Sequence, residues 1–275
     1  MSILSPSTTI GVFDSGFGGL TVLGTLLERL PWTQFVFLGD SARLPYGSKS
    51  RRTIARYAVE SAQFLVNKQG AKFLVIACNT ASALALDAIQ AAVPVPVVGV
   101  IEPGAAAAHD ASRTGDVLVI ATAATVESHA YAAACRALGL RAYEKACPLL
   151  VPLVEEGWTN HPVTEQVIRI YLDELLVEAA ALGLHPDTLV LGCTHYPLLR
   201  PLFERAVPAG MRIVDSSKAT AEAVARLFSQ PESERPLPAV PLRCFATDSV
   251  DKFQRLGSRF LNRPVGHVEL VDLGG

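Results

Sequence analysis

Two apolar runs that each stop at a cysteine constrain this chain more than any other feature. They are Leu74-Val75-Ile76-Ala77-Cys78-Asn79-Thr80 and Leu189-Val190-Leu191-Gly192-Cys193-Thr194-His195. In each, a short hydrophobic stretch of β type ends at the thiol, and small hydroxyl or amide residues then open a helical pattern. A thiol so placed stands at the mouth of a buried strand, beside backbone N–H groups that favour negative charge. Two such thiols on related units suggest one site approached from two sides. That is the geometry needed to take a proton from one face of a carbon and return one to the other.

Strand-like and helix-like patterns alternate along almost the whole chain. Ile10 to Phe13 reads as a strand, followed by a glycine-rich turn and a helical run through Leu30 that Pro31 stops. Phe35 to Leu38 is the next strand, and a polar loop from Asp40 to Ser50 leads into a helix ending at Gly70. Phe73 to Ala77, Val95 to Val100, Val117 to Ala121, Leu189 to Leu191 and Met211 to Val214 read as further buried strands. Such alternation predicts an α/β fold of mainly parallel sheets flanked by helices. In open parallel sheets ligands bind beyond the carboxyl ends of the strands, where Asp14 and both cysteines fall.

The likeness of the cysteine segments extends to the strands that precede them. Ile10-Gly11-Val12-Phe13-Asp14-Ser15 and Val117-Leu118-Val119-Ile120-Ala121-Thr122 both lead into helical patterns. This weak internal repeat predicts two similar lobes with the active site between them. The chain is expected to cross between lobes around Pro94 to Pro103 and to return at Arg212 to Ser216. Residues 1–98 and 212–275 then form the first lobe, with Asp14 and Cys78, and residues 99–211 the second, with Cys193 and His195. Pro231 to Pro241, with four prolines, reads as an exposed linker in the first lobe.

Composition narrows the function classes. With 275 residues, half of them hydrophobic, the chain can bury a large core. A formal net charge of -2 gives no electrostatic reason to expect nucleic acid or an anionic membrane as partner. The apolar runs are punctuated by Gly, Pro or charge, and none is long enough to span a bilayer. The first nine residues lack a basic segment before an apolar one, so no secretory signal is expected. Five cysteines, without the short spacings of a disulfide framework, point to the reducing cytoplasm.

Each candidate residue has a plainer reading beside the functional one. Cys78 could fill a core, but Asn79 and Thr80 directly after it imply that the strand ends at a cleft. For Cys193 the functional reading is stronger, because Thr194 and His195 come next, and a histidine can tune a thiol. Cys135, Cys147 and Cys244 lie in helix, strand-end and strand patterns without polar company and read as structural. Cys193 and His195 could be two zinc ligands, but tetrahedral zinc needs more, and no CxxC or HxxxH pair supplies them. No metal is therefore expected.

The run Asp14-Ser15-Gly16-Phe17-Gly18-Gly19 is neither GxGxxG nor a phosphate loop, although a tight turn before a helix suits a carboxylate. Asp14 either caps that helix or orients or accepts a proton. Pro45-Tyr46-Gly47 is either a surface turn or a loop that closes over a small ligand. Glu155 and Glu156 come after a buried helical start, Val151-Pro152-Leu153-Val154, where acids usually form a solvated face. Only six lysines occur, none in the strand-end motifs where a pyridoxal Schiff base would need one. Cofactor-free acid–base chemistry is the economical reading that remains.

Taken together, these residues resemble the cofactor-independent aspartate/glutamate racemase superfamily, and within it the glutamate racemases. The resemblance rests on Phe13-Asp14-Ser15-Gly16-Phe17-Gly18-Gly19-Leu20-Thr21-Val22, Leu44-Pro45-Tyr46-Gly47, Ala77-Cys78-Asn79-Thr80-Ala81-Ser82 and Gly192-Cys193-Thr194-His195-Tyr196-Pro197-Leu198-Leu199. It spans roughly Ile10 to Ser229, while the stretch after Pro231 matches nothing distinctive. It implies that Cys78 and Cys193 are the two acid/base residues, Cys78 acting on D-glutamate and Cys193 on L-glutamate. Asp14, His195 and Glu155 would assist, Glu155 being chosen over Glu156 by the Pro-Leu-Val-Glu pattern.

By the same resemblance Ser15, Pro45, Tyr46, Gly47, Asn79, Thr80 and Thr194 would hold the substrate's carboxylates and amino group. Thr122 and Thr125 match a family threonine segment, although Ala121 stands where the family more often has glycine. The implied partners are L- and D-glutamate, with D-glutamate supplied to peptidoglycan, no cofactor, and a homodimer or other homo-oligomer in the cytoplasm. The nine residues before the first strand leave little room for the extension that some relatives use to sense a cell-wall precursor. The competing expectations are an aspartate racemase of the same superfamily and a non-catalytic small-molecule binding protein.

Overall fold

The computed structural model describes residues 4, 8–228 and 242–274. The proline-rich stretch 231–241 lies outside them. The first part of the chain runs β1 (Thr9–Asp14), α1 (Leu20–Arg29), β2 (Gln34–Gly39), α2 (Arg51–Gln63), β3 (Phe73–Ile76), α3 (Asn79–Ala92), β4 (Val97–Gly99) and α4 (Ile101–Ala111). The middle part runs β5 (Asp116–Ala121), α5 (Ala123–Glu127), α6 (Ala130–Ala137), β6 (Arg141–Ala146), α7 (Leu150–Glu155) and α8 (Pro162–Ala181). It continues through β7 (Thr188–Gly192), α9 (Arg200–Ala206) and β8 (Arg212–Asp215). The last part comprises α10 (Ser216–Ala225), β9 (Arg243–Ala246), α11 (Val250–Leu261) and β10 (Val268–Leu270).

The strands form two wholly parallel sheets, ordered β10-β9-β2-β1-β3-β4 and β6-β5-β7-β8. The four strands β2-β1-β3-β4 and the four strands β6-β5-β7-β8 are wound in the same order, so the internal repeat is a repeat of topology. In each sheet the cysteine-bearing strand lies beside the strand that opens the unit. Phe13 is opposite Ile76 in the first, and Ala121 is opposite Gly192 in the second. β1, β3, β5 and β7 are almost wholly buried because helices cover both faces, which is why their sequences are continuous apolar runs rather than alternating ones.

One boundary differs from the sequence expectation. Arg212–Asp215 does not begin the return to the first lobe; it pairs with Thr188–Leu191 as the edge of the second sheet. It occupies the place that β4 holds in the first sheet, and the repeat explains its position. The return starts at α10, which packs against α1 and α4, with the Thr25 hydroxyl donating to the Ser217 carbonyl at 3.1 Å. β9 and β10 then rejoin the first sheet beside β2. β6 carries none of the apolar run that marks the other strands, since this edge strand is half-buried and includes Arg141, Glu144 and Lys145. Arg141 instead grips buried Asp116 on β5 through two hydrogen bonds of 2.7 Å.

The helices bury one stripe each. α1 turns Leu20, Val22, Leu23 and Leu26 inward and ends at Leu30, before the proline that cannot continue it. α11 buries Phe253, Leu256, Gly257, Phe260 and Leu261 against the first sheet and presents Lys252 on another face. Among the described residues no helix is long and apolar enough to cross a membrane.

Two glycines give opposite expectations for stability. A Cβ at Gly39, the last residue of β2, would run into the Gly16 carbonyl and the Phe253 ring. Gly39→Ala should therefore destabilise by about 1–3 kcal/mol, the usual cost of overpacking. Gly24 sits in the middle of α1 with no atom closer than 3.8 Å to a Cβ, so Gly24→Ala should stabilise by about 0.5–1 kcal/mol. Equilibrium urea unfolding of the two variants checks both signs.

Candidate active site

The carboxyl ends of the two sheets face one another, and the loops that leave them enclose a cavity of about 340 Å³. That volume suits a small organic molecule. From the first lobe come Ser15 after β1, Leu44 to Ser48 after β2, and Cys78, Asn79 and Thr80 after β3. From the second come Thr122 and Ala123 after β5, Pro148 to Glu156 after β6, and Cys193, Thr194 and His195 after β7. Of the residues singled out in the sequence, all but Asp14 and Thr125 line this cavity, and those two lie directly behind its wall.

Glycine lets the lobes approach. A Cβ at Gly18 would collide with the Thr194 hydroxyl and lie 2.7 Å from the His195 ring. One at Gly47 would lie 2.8 Å from Thr122 Cβ. The Thr21 hydroxyl also reaches across to the Thr194 carbonyl at 3.2 Å. The glycine-rich turn after β1 is therefore a contact surface for the second lobe's cysteine motif.

Cys78 caps α3. Its Sγ accepts the Ala81 N–H at 3.4 Å and donates to the Ser15 hydroxyl at 3.4 Å. The Ala81 N–H, the helix terminus and a Ser15 hydroxyl turned to donate to sulfur favour a thiolate, but burial and the nearby Asp14 charge outweigh them, and the thiol is pushed up to about 12. Asp14 is itself raised by burial, although the N–H groups of Gly19, Gly16 and Ser15 point at its carboxylate and His195 lies near. The Gly16 bond to Oδ2 measures 2.9 Å. Asp14 thus holds the glycine-rich turn in shape and sits as an acid behind the first thiol.

Cys193 has a different neighbour. The His195 ring stands between Cys193 Sγ, 3.9 Å from Nδ1, and Glu155 Oε1, 3.4 Å from Nε2. Burial alone would discharge the imidazolium; the sulfur and the carboxylate on its two sides win, and its pKa rises to about 10. Burial would raise Glu155, but His195 and Lys252 together hold it below the usual carboxylate value. Lys252 Nζ reaches Glu155 Oε2 at 3.7 Å from α11, across the gap between lobes. Both glutamates of the pair line the cavity, and Glu155 is the one aimed at His195.

Hydrogen-bonding groups furnish the rest of the wall. The hydroxyls of Thr80, Thr122 and Thr125 form a triangle with sides of 2.9, 3.1 and 2.9 Å that joins α3 to the start of α5 across the lobes. Thr122 also caps α5 by accepting the Thr125 N–H. The Tyr46 ring is buried and its hydroxyl donates to Asp40 at 2.5 Å, so that hydroxyl is committed away from a ligand. Cys135, Cys147 and Cys244 are buried free thiols outside the lining.

Some of the site has no local sequence signal. Lys252 comes from a helix with no motif, and Tyr131, whose hydroxyl holds Asn79, sits in an alanine-rich helix. Pro148, Val151 and Pro152 form apolar wall ahead of Glu155 and could have been inferred from the Val151-Pro152-Leu153-Val154 run.

Comparison with known proteins agrees with this geometry. The Asp/Glu/hydantoin racemase family model matches residues 25–224. The chain is 53% identical to a glutamate racemase of Koribacter versatilis, over 97% of this chain and 98% of that one. A glutamate racemase of Bacillus anthracis superposes with a TM-score of 0.85 at 34% identity, over 98% of this chain and 99% of that one. A Francisella tularensis glutamate racemase, solved in complex with D-glutamate, gives a TM-score of 0.84 at 33% identity over the same shares. Two parallel-sheet lobes with a cysteine at the mouth of each, and kinship of this extent, place the chain in the Asp/Glu/hydantoin racemase family, on its glutamate racemase branch.

Proposed function

We propose that this protein interconverts L- and D-glutamate by a cofactor-independent, two-base mechanism and so supplies D-glutamate for peptidoglycan. The observation that carries the reading is that Cys78 and Cys193, one from each lobe, line one small cavity. The family supports racemisation, and the near relatives favour glutamate over aspartate. One methylene of pocket length discriminates by only about 1–3 kcal/mol, so the choice of substrate rests on that kinship.

The chemistry is dictated by the difficulty of the step. An α-hydrogen beside a carboxylate is far less acidic than a thiol, so the developing negative charge needs donors already in place. The amide of Asn79, whose Nδ2 has no partner among the described residues, provides such a donor, and the Thr80 and Thr122 hydroxyls can join it by turning out of their triangle. L-glutamate is turned over by the form with Cys193 ionised and Cys78 protonated. Cys193 takes the α-proton while Cys78 delivers its own to the opposite face, which leaves the pair in the reverse state, ready for D-glutamate. Burial and Asp14 keep the Cys78 proton in place until it is needed. The His195 imidazolium, stabilised by Glu155, offsets charge on the Cys193 side.

The same reading divides the chain by sheet membership, with β1–β4, β9 and β10 in one lobe and β5–β8 in the other. The lobes open to admit substrate and close to exclude water, pivoting near Gly99 to Gly104 and after Asp215. Residence in the cytoplasm as a homo-oligomer belongs to the proposal on the strength of the family resemblance. Small-angle scattering should report compaction when glutamate is added.

Mutation of the thiols tests the mechanism. Cys78→Ala or Cys193→Ala should each lower racemisation by at least about a thousandfold, within the range of a lost acid–base group. Cys193→Ala should still eliminate from a D-configured substrate with a β-leaving group, and Cys78→Ala from the L form. In deuterated water the product of either hand should carry α-deuterium. Full activity in either variant, or product that keeps its original hydrogen, would show that the two-thiol reading is wrong. Faster turnover of aspartate than of glutamate would move the substrate to the other branch.

A pH series tests the charge on His195. Its folded pKa, about 10, lies above the ordinary histidine value of about 6.5. Its charged form therefore contributes stability that is fully present below about pH 6.5 and is lost as pH rises through about 10. The difference in unfolding midpoint between wild type and His195→Gln should shrink steadily over that interval. A difference that does not change with pH would mean that the ring is neutral in the folded protein.

A further inference from the structure

We propose that Tyr131 is a positioning residue for substrate: its hydroxyl, 2.7 Å from Asn79 Oδ1, fixes the Asn79 amide so that Nδ2 faces the cavity as a donor to a substrate carboxylate. The proposal rests on the racemase reading for the identity of the ligand and on geometry for everything else. Tyr131 belongs to α6 in the second lobe and Asn79 to the first turn of α3 in the first, so one hydrogen bond ties the two halves of the site together.

The tyrosine itself is tightly held. It is fully buried, and its ring fills space left by two glycines. A Cβ at Gly192, the residue before Cys193, would lie 2.9 Å from its Cε2, and one at Gly104 on α4 would lie 3.1 Å from its hydroxyl. The ring is therefore wedged between the end of the cysteine strand β7 and the helix at the lobe crossing. Burial pushes the phenol far above its ordinary pKa, so the hydroxyl keeps its proton and donates it to Asn79 Oδ1.

That direction decides what Asn79 can do. With its carbonyl oxygen committed to Tyr131, the amide presents NH₂ on its other side. Asn79 is 3% exposed, lines the cavity, and its Nδ2 has no hydrogen-bond partner among the described residues. A buried donor without a partner is costly, and a substrate carboxylate drawn against it as the lobes close would satisfy it. If the hydroxyl were lost, the amide would be free to turn over and present its oxygen to an anion.

Tyr131→Phe keeps the ring and removes only the hydroxyl, so the fold should survive with an unfolding midpoint near that of wild type. Because the Asn79 Nδ2 donor meets both the bound carboxylate and the charge that develops on it, kcat/KM for both glutamate enantiomers should fall about tenfold, the size of one buried hydrogen bond, with KM raised and kcat lowered. The ¹⁵N–¹H signals of the Asn79 side-chain amide should be sharp in wild type and broadened or shifted in the variant, where the whole amide samples two orientations. Unchanged kcat/KM, or Asn79 signals that ignore the substitution, would each overturn the proposal. Glutamate turnover by the wild type tests the racemase reading separately. A wild type that does not racemise glutamate sinks that reading, and the amide signals still decide the role of Tyr131.

Discussion

The structure depends on how closely the carboxyl ends of its two parallel sheets approach each other. Each sheet alone ends in a shallow rim with one cysteine, too open to exclude water from a proton transfer. Brought together, the rims close a cavity with sulfur on two sides. The approach is allowed because Gly18 and Gly47 stand where side chains would strike Thr194, His195 and Thr122. It is held by hydroxyls that bridge the gap, Thr21 to the Thr194 carbonyl and Thr80 to Thr122 and Thr125. The glycines near β1 and β2 are thus explained by proximity rather than by a phosphate.

The fold repeats, but the two thiols do not share an environment. Equivalent strands bring Cys78 and Cys193 to equivalent places, and the residues behind them differ in charge. Behind Cys78 lies buried Asp14, whose own ionisation burial discourages and whose charge opposes a thiolate. Beside Cys193 lies an imidazole flanked by Glu155 and, one step further, Lys252. On the proposed two-thiol mechanism, a reaction that runs both ways uses one protonated and one ionised sulfur at a time. Unequal neighbours allow each state to be reached without the two sulfurs competing for the same charge. The repeat therefore supplies the geometry, and its imperfection supplies the difference in charge.

Most of the fold was legible because burial leaves a plain mark on parallel strands. β1, β3, β5 and β7 are covered on both faces and read as unbroken apolar runs, and the residues just after each run fall at the site. The strands whose patterns mislead or stay silent are edge strands. β6 is half-buried and charged, and β8 is four half-buried residues whose sheet could be told only from its pairing with β7. The short-range pattern of β8 says that a strand exists and nothing about which lobe receives it. The topological repeat does carry that information, since a unit ordered like β2-β1-β3-β4 requires a fourth strand.

The same distinction runs through the site. Residues directly after a strand were legible, because strand ends are marked in sequence and ligands gather there. Residues that act through another side chain were not. Tyr131 and Lys252 reach the site from helices whose local patterns are those of ordinary packing, and Tyr46 carries a polar group whose partner, Asp40, lies within its own loop. Their roles exist only in three dimensions, where a donor meets an acceptor from a distant part of the chain. The Asn79 amide illustrates the consequence. Its position was readable from the motif after Cys78, but the orientation of its amide is set by a hydroxyl 52 residues away in the other lobe.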